Sequence, residues 1–330
     1  MNSPSPLTRR DFLRGTAALA LATPLARAAA APEPIIDIHQ HTNYGGARDA
    51  KQKWKQVGPA RSDAELIAHQ RAMGITTTIL LPAGRTMFTP STLNGQANGL
   101  DTTCYGNESC LAIAKQYPGE FVFAANDVPD AEGAAGVIEK YLKLGAVMIA
   151  EQKFGVQCDS PEMQRLFELA AAYRVPILMH WQAGSYNLGY DRFHRMLAKY
   201  PRTNFIGHAQ TFWANIDKAN VDNPKALYPT GKVTPGGLTD RYLADYPNFF
   251  GDLSAGSGEN AFKRDPEQAQ AFLARHQDKL LYGSDCNDKL GVPGVCSGIR
   301  QLAQIRQWAP NKAAERKMLY ENSRKLFRLA

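Results

Sequence analysis

The sequence predicts an α/β protein built as a single (β/α)8 TIM barrel, and three observations carry that prediction. Short apolar runs rich in β-branched and aromatic residues alternate eight times with longer amphipathic segments. Most runs are apolar throughout, the pattern of parallel strands buried on both faces. No dinucleotide-type glycine fingerprint follows the first run, which weakens a doubly wound open sheet, the main alternative. The chain has 330 residues, 44% hydrophobic and 21% charged, an ordinary globular balance for one large domain or two small ones.

The first element is not part of the fold. Arg9-Arg10 within Thr8-Arg9-Arg10-Asp11-Phe12-Leu13-Arg14 precedes a weakly apolar stretch over 15–25, and Ala26-Arg27-Ala28 forms a small-x-small cleavage site. This is the pattern of a twin-arginine (Tat) export signal over 1–28, followed by a linker over 29–33 and the barrel domain over 34–330. The expected address is periplasmic or secreted, reached through the twin-arginine machinery. The apolar stretch is too short and Ala-rich to be a stable membrane anchor. Cleavage would leave 34 Lys and Arg against 30 Asp and Glu, a net charge of +4 without a basic cluster, and so no case for nucleic acid.

The eight strand candidates are 35–41, 76–82, 121–128, 146–154, 176–181, 204–210, 249–253 and 280–285. Helix candidates lie at 63–73, 161–173, 191–200, 238–245, 266–276 and 312–329; Ser160-Pro161 supplies a good N-cap and first helical residue. The connections 84–107 and 211–237 are long, follow strands, and so fall on the expected active-site face. Of the five cysteines, Cys104 with Cys110 and Cys286 with Cys296 are close enough in sequence to pair, and an odd count in an exported chain leaves at least one free. The absence of Cys-x-x-Cys argues against a thiolate zinc knuckle.

Chemistry concentrates at strand ends. His39-Gln40-His41 closes the first run, and alternation points both imidazoles the same way. A buried pair of imidazoles leaves its polar nitrogens unsatisfied without a further partner, such as a metal ion. His180 ends the fifth run, His208 the sixth and Asp285 the eighth, so all converge on one cavity in a barrel. A structural pair, a core histidine or an Asx turn explains each alone; the conjunction favours a metal site. His69, His194 and His276 lie in helical segments, where solvated or capping roles are expected. In the fourth run Val147, Ile149, Glu151 and Lys153 share a face by alternation. Glu151 and Lys153 then approach the cavity, as a neutralising pair or with Lys153 as an anchor for substrate anions. Arg85, Trp181, Trp213 and Asn287, beside strand ends or in the long loops, are substrate-contact candidates, with ordinary packing the other reading. The Gly-rich run 251–258 lacks a phosphate-loop ending and is expected only to turn the chain. No Gly-x-Ser-x-Gly elbow is present.

These residues resemble the metal-dependent amidohydrolase superfamily. Asp37-Ile38-His39-Gln40-His41, His180, Gly207-His208, Gly283-Ser284-Asp285 and the closing Tyr320-Glu321-Asn322-Ser323-Arg324-Lys325-Leu326-Phe327 are most similar to amidohydrolase family 2, which includes the aminocarboxymuconate semialdehyde decarboxylase-like enzymes. The resemblance spans 34–327. It implies that His39, His41, His180 and Asp285 ligate one divalent metal ion, with His208 as general base or electrostatic stabiliser. Three imidazoles and a carboxylate suit Zn2+, with manganese, iron or cobalt also compatible. A second ion is a further possibility, held by a bridging Glu151 with His180 and His208. The implied activity is hydrolysis of a small amide, lactone or ester by metal-activated water. Decarboxylation of a small aromatic or enol acid is the alternative, and a silent binding or scaffold protein the third reading.

Overall fold

A computed structural model describes residues 33–42, 47–48, 54–55, 61–82, 106–220 and 226–329. The expected export signal and Arg85 lie outside the described residues. The chain divides after position 33 into two units, and the architecture below belongs to the second.

Eight parallel strands appear in chain order: β1 Ile36–His41, β2 Thr77–Leu81, β3 Phe121–Phe123, β4 Ile149–Gln152, β5 Ile177–His180, β6 Phe205–His208, β7 Phe249–Asp252 and β8 Leu280–Leu281. They form two parallel sheets, β1-β2-β3 and β4-β5-β6-β7-β8. Backbone hydrogen bonds join the sheet edges on both sides. Ala125 N donates to Met148 O (2.8 Å) and Val147 N to Phe123 O (2.9 Å) at one junction. At the other, Ile38 N donates to Tyr282 O (3.1 Å) and Asp285 N to His39 O (2.8 Å). The second junction brings the last strand's exit against the first strand's histidines. A separate antiparallel ribbon pairs Ala47–Arg48 with Trp54–Lys55.

The hydrophobic residues separate into two clusters, as strand alternation requires. One collects Ile36, Ile38, Ile79, Leu81, Ala124, Met148, Ala150, Leu178, Ile206 and Leu281, with Phe250 packed against it, so all eight strands or their flanks contribute to the inside of the ring. The other takes the intervening residues, such as Phe121, Phe123, Ile149, Ile177, Met179, Phe205 and Phe249, together with the helices outside. Each large side chain buried in this way contributes about 1.5–3 kcal/mol.

Twelve α-helices are described: α1 Asp63–Ala72, α2 Asn107–Gln116, α3 Ala134–Lys143, α4 Pro161–Tyr173, α5 His194–Lys199, α6 Ala209–Ala214, α7 Leu238–Asp245, α8 Ala255–Lys263, α9 Pro266–His276, α10 Ser297–Trp308, α11 Lys312–Arg316 and α12 Asn322–Phe327. Local chemistry fixes several starts. Ser62 and Glu65 form a reciprocal capping box on α1, and Ser160 Oγ accepts from Met163 N ahead of Pro161 on α4. Such caps contribute about 1 kcal/mol each. The predicted helix 312–329 is interrupted by a π-turn, Lys317–Glu321. The predicted sixth strand runs too far: β6 ends at His208, and α6 begins at Ala209, whose φ is 77°. Among the described residues no helix is long and apolar enough to cross a membrane.

Candidate active site

Two irregularities in strand register aim the site. β1 pairs Asp37 with Thr78 but Gln40 with Leu80, an extra residue between them; β4 pairs Ile149 with Ile177 but Gln152 with Met179. A bulge re-aims the side chains beside it. Ile38 and Ala150 belong to the interior cluster, and the next residues, His39 and Glu151, also turn inward. Strict alternation therefore fails in the fourth strand: Ile149 packs in the outer cluster and does not share a face with Glu151.

The structure brings the expected groups together around Glu151. Nε2 of His39 and Nε2 of His41 stand 3.1 Å apart. Glu151 Oε2 lies 3.9 and 3.5 Å from them, and Asp285 Oδ1 3.8 and 3.7 Å. The other Glu151 oxygen is 2.6 Å from His180 Nδ1 and 3.6 Å from His208 Nε2. Glu151 thus joins two ligand-type groups, His39–His41–Glu151 and Glu151–His180–His208, each with its donor atoms within 4.8 Å of one another. Asp285 completes the first, and His180 meets the rest through Glu151.

The distal ring nitrogens fix the tautomers. His39 Nδ1 donates to Asp252 Oδ2 (2.7 Å) and His41 Nδ1 to the Leu81 carbonyl (3.2 Å). His208 Nδ1 lies 3.0 Å from Ser254 Oγ and 3.2 Å from Asp252 Oδ2. In their neutral forms these three rings keep an Nε2 lone pair for the centre, the arrangement that metal-binding histidines adopt.

The electrostatics of the centre are dominated by its three carboxylates. Burial lowers the pKa of His39, but the charges of Asp285, Asp252 and Glu151 outweigh it and lift the ring to about 10. Burial, with Lys153 nearby, pushes His180 down to about 4, so it is neutral at pH 7. Burial opposes ionisation of Glu151, yet Lys153 and His180 hold it well below the usual carboxylate range. Asp252 is also held low, because its two histidines offset its burial. Asp285 Oδ1 is buried with no hydrogen-bond partner, an orphaned acceptor facing two imidazoles. A carboxylate oxygen in that position fits a divalent metal ion.

Asp252 was hidden in the Gly-rich run expected only to turn the chain. It ends β7 as His180 and His208 end β5 and β6, which was the available signal. Ser254 accompanies it, donating Oγ–H to Asp252 Oδ2 (2.8 Å) and N–H to Oδ1 (2.9 Å). Asp37 locks β1 to the exit of β8, accepting from Ser284 N (2.9 Å) and Ser284 Oγ (2.5 Å). Gly283 allows this close approach: a methyl there would come within 2.5 Å of Asp252 Oδ1 and 2.8 Å of His39 Cβ. Asp285 itself has φ 44°, a left-handed conformation that Asp tolerates better than most residues.

The proposed substrate contacts fare unevenly. Lys153 remains beside the site, close enough to influence Glu151 and His180, with Nζ 5.8 Å from the Tyr186 ring centre. Trp181 is fully buried and packed on Tyr190 and Phe193, a core residue and not a surface for substrate. Trp213 is also buried; its Nε1 donates to the Asp252 carbonyl (3.0 Å) and props β7 from behind. Both were misplaced because adjacency to a strand end does not say which face a side chain takes. Asn287 is exposed in the loop after Asp285. Two of the helical histidines differ from expectation: His69 and His276 are buried against Asp288 and Asp240, whereas His194 lies near the surface of α5 as expected.

The amidohydrolase family model matches residues 36–329. This chain belongs to the amidohydrolase family. No curated protein matches it. Solved structures share the amidohydrolase's fold at low identity. A protein from Agrobacterium tumefaciens, in its apo form, is 16% identical with a TM-score of 0.59, covering 91% of this chain and 97% of its own. A candidate 2-pyrone-4,6-dicarboxylic acid hydrolase from Pseudomonas putida is 16% identical with a TM-score of 0.58, covering 90% and 98%. A 2,6-dihydroxybenzoate decarboxylase from Rhizobium is 15% identical with a TM-score of 0.52, covering 90% and 99%.

Proposed function

We propose that the chain is an exported, metal-dependent hydrolase that opens a carbonyl bond in a small lactone, ester or amide. The observation that carries this reading is the convergence of the His39 and His41 Nε2 atoms with Glu151 and the orphaned Asp285 oxygen. His39, His41, Asp285 and Glu151 would hold one divalent ion, Zn2+ being the best match to this donor set, and His180 would support it through Glu151. Bound there, such an ion supplies a Lewis acid that polarises a carbonyl oxygen and lowers the pKa of water to about 7.

The chain's own groups supply the proton transfers. His208 has its Nδ1 tied to Ser254 and Asp252, so its Nε2 lone pair is aimed at the centre. It accepts the proton of the attacking water and returns it to the leaving group. Asp252 stabilises the imidazolium formed in between. Lys153 is a cationic anchor for a substrate carboxylate. If two ions load, His208 and His180 become ligands of the second with Glu151, and the water's proton must leave by another group. Metal counting distinguishes the two cases.

Lys153 also supports decarboxylation, because an anchored carboxylate beside the centre is what a lyase needs. Structural neighbours carry names of both kinds. Turnover of a panel of lactones, amides and aromatic acids in oxygen-labelled water decides between them. Label in the organic product supports hydrolysis; carbon dioxide release with an unlabelled organic product overturns it in favour of the lyase. Export is supported by the Arg9-Arg10 pattern. Replacing both by Lys should leave uncleaved precursor in the cytoplasm; continued export would count against the twin-arginine route.

A further inference from the structure

We propose that His69, Cys286, Asp288 and Cys296 form a second metal site, a closed structural zinc centre that ties the loop carrying Asp285 to α1. Their four donor atoms lie within 4.8 Å of one another. His69 Nε2 is 3.1 Å from Asp288 Oδ1 and 3.7 Å from Cys296 Sγ; the two sulfurs are 2.7 Å apart and would open to roughly 3.8 Å around a tetrahedral ion bound at about 2.3 Å. His69, Cys286 and Cys296 are buried and Asp288 is partly buried. Two sulfurs, an imidazole and a carboxylate meeting from α1, the β8 exit loop and the start of α10 match the number and softness of zinc ligands. Four protein donors leave no open position, which marks a structural site and not a catalytic one.

Three surrounding features fit an anionic thiolate cluster. Gly298 N donates to Cys286 Sγ (3.0 Å) and Ser297 Oγ lies 3.4 Å away, both in the first turn of α10. The Arg61 side chain is 1% exposed, yet its hydrogen bonds run to neutral oxygens: Gln40 Oε1 (2.6 Å), His41 O (3.0 Å) and Asp288 O (3.0 Å). Two thiolates and a carboxylate around a divalent ion leave one net negative charge beside this guanidinium. Arg61 in turn holds both Gln40 and His41 of β1, so the centre braces the active-site strand as well as the Asp285 loop. A Cys-x-x-Cys search misses the site because the cysteines are ten positions apart and His69 is more than two hundred residues from them.

The test does not depend on the enzymatic reading, because the active-site donors are nitrogen and oxygen only. Full-length protein is purified without chelators from zinc-supplied cells and examined by zinc counting and X-ray absorption at the zinc edge. The expected result is a sulfur shell at about 2.3 Å. Organomercurial modification of thiols in the same wild-type protein should release about one zinc for two thiols. Cys296→Ser should lose that zinc and its sulfur signal while the active-site ion stays. Zinc without sulfur scattering in the wild-type protein overturns the proposal, as does a mass two hydrogens lower with Cys286 and Cys296 joined as a disulfide. Sulfur scattering in a protein that turns over no substrate would sustain this proposal and count only against the catalytic one.

Discussion

Replacing Asp252 by Asn tests how far the site depends on the carboxylate behind His39 and His208. Asp252 is fully buried, with Oδ2 2.7 Å from His39 Nδ1, 2.8 Å from Ser254 Oγ and 3.2 Å from His208 Nδ1. Asn has nearly the same shape but only one acceptor oxygen and no charge. If that oxygen faces Ser254 N, the amide nitrogen meets the His39 Nδ1–H, donor against donor. His39 escapes by moving its proton to Nε2, the atom needed at the centre. Losing such a partner costs about 10–100-fold in metal affinity. At about 1.4 kcal/mol per decade that is roughly 1.4–2.8 kcal/mol. The assay is zinc binding by metal-free protein in competition with a chromophoric chelator, with turnover measured separately at saturating zinc. Melting of the metal-free variant establishes that it folds. A folded Asp252→Asn protein that binds zinc within about twofold of wild type would refute the claim that Asp252 sets the His39 tautomer.

Asp285→Ala should abolish turnover and lower metal content, since it removes the orphaned oxygen; full occupancy with full activity would remove Asp285 from the site. Glu151→Gln keeps the shape but loses the charge shared by four imidazoles. Metal affinity should fall by about tenfold or more, read by the same chelator competition. Gly283→Ala forces a methyl toward Asp252 and His39 and should cost about 1–3 kcal/mol in denaturant unfolding; unchanged stability would contradict the packing. Asp240→Asn should cost about 1.5–3 kcal/mol at pH 7 by weakening the bonds from His276 and Arg275. Burial opposes the Asp240 charge, but those partners hold its pKa below the ordinary value. Its contribution is therefore complete above the unfolded carboxyl pKa of about 3.9 and fades as pH falls through the lower folded value. Unfolding curves of wild type and variant should converge below about pH 4; a constant gap would refute the assignment.

The eight strands were legible because parallel strands buried on both sides must be apolar throughout, and helices α4, α7 and α9 because caps and periodicity are local. His39, His41, His180, His208 and Asp285 were legible as one set because each lies at the end of an apolar run. Strand alternation alone does not place Glu151 in the site: Ile149 faces outward, and only the bulge turns the next pair of residues inward. His69 and His276 illustrate a different gap. A helical position says which face is buried, but not that a carboxylate from a distant loop waits there.

By itself the chain settled the alternation, the strand-end histidines and the family to which they belong, since all of these rest on neighbours within a few residues. Ring closure decided the rest. It set Asp252 against His39 across 213 positions and Ser284 against Asp37 across 247. It also sent Trp181 and Trp213 into the core. Side-chain direction along a strand is a local property until a bulge resets it, whereas the partner across a barrel is fixed only once the last strand has paired with the first.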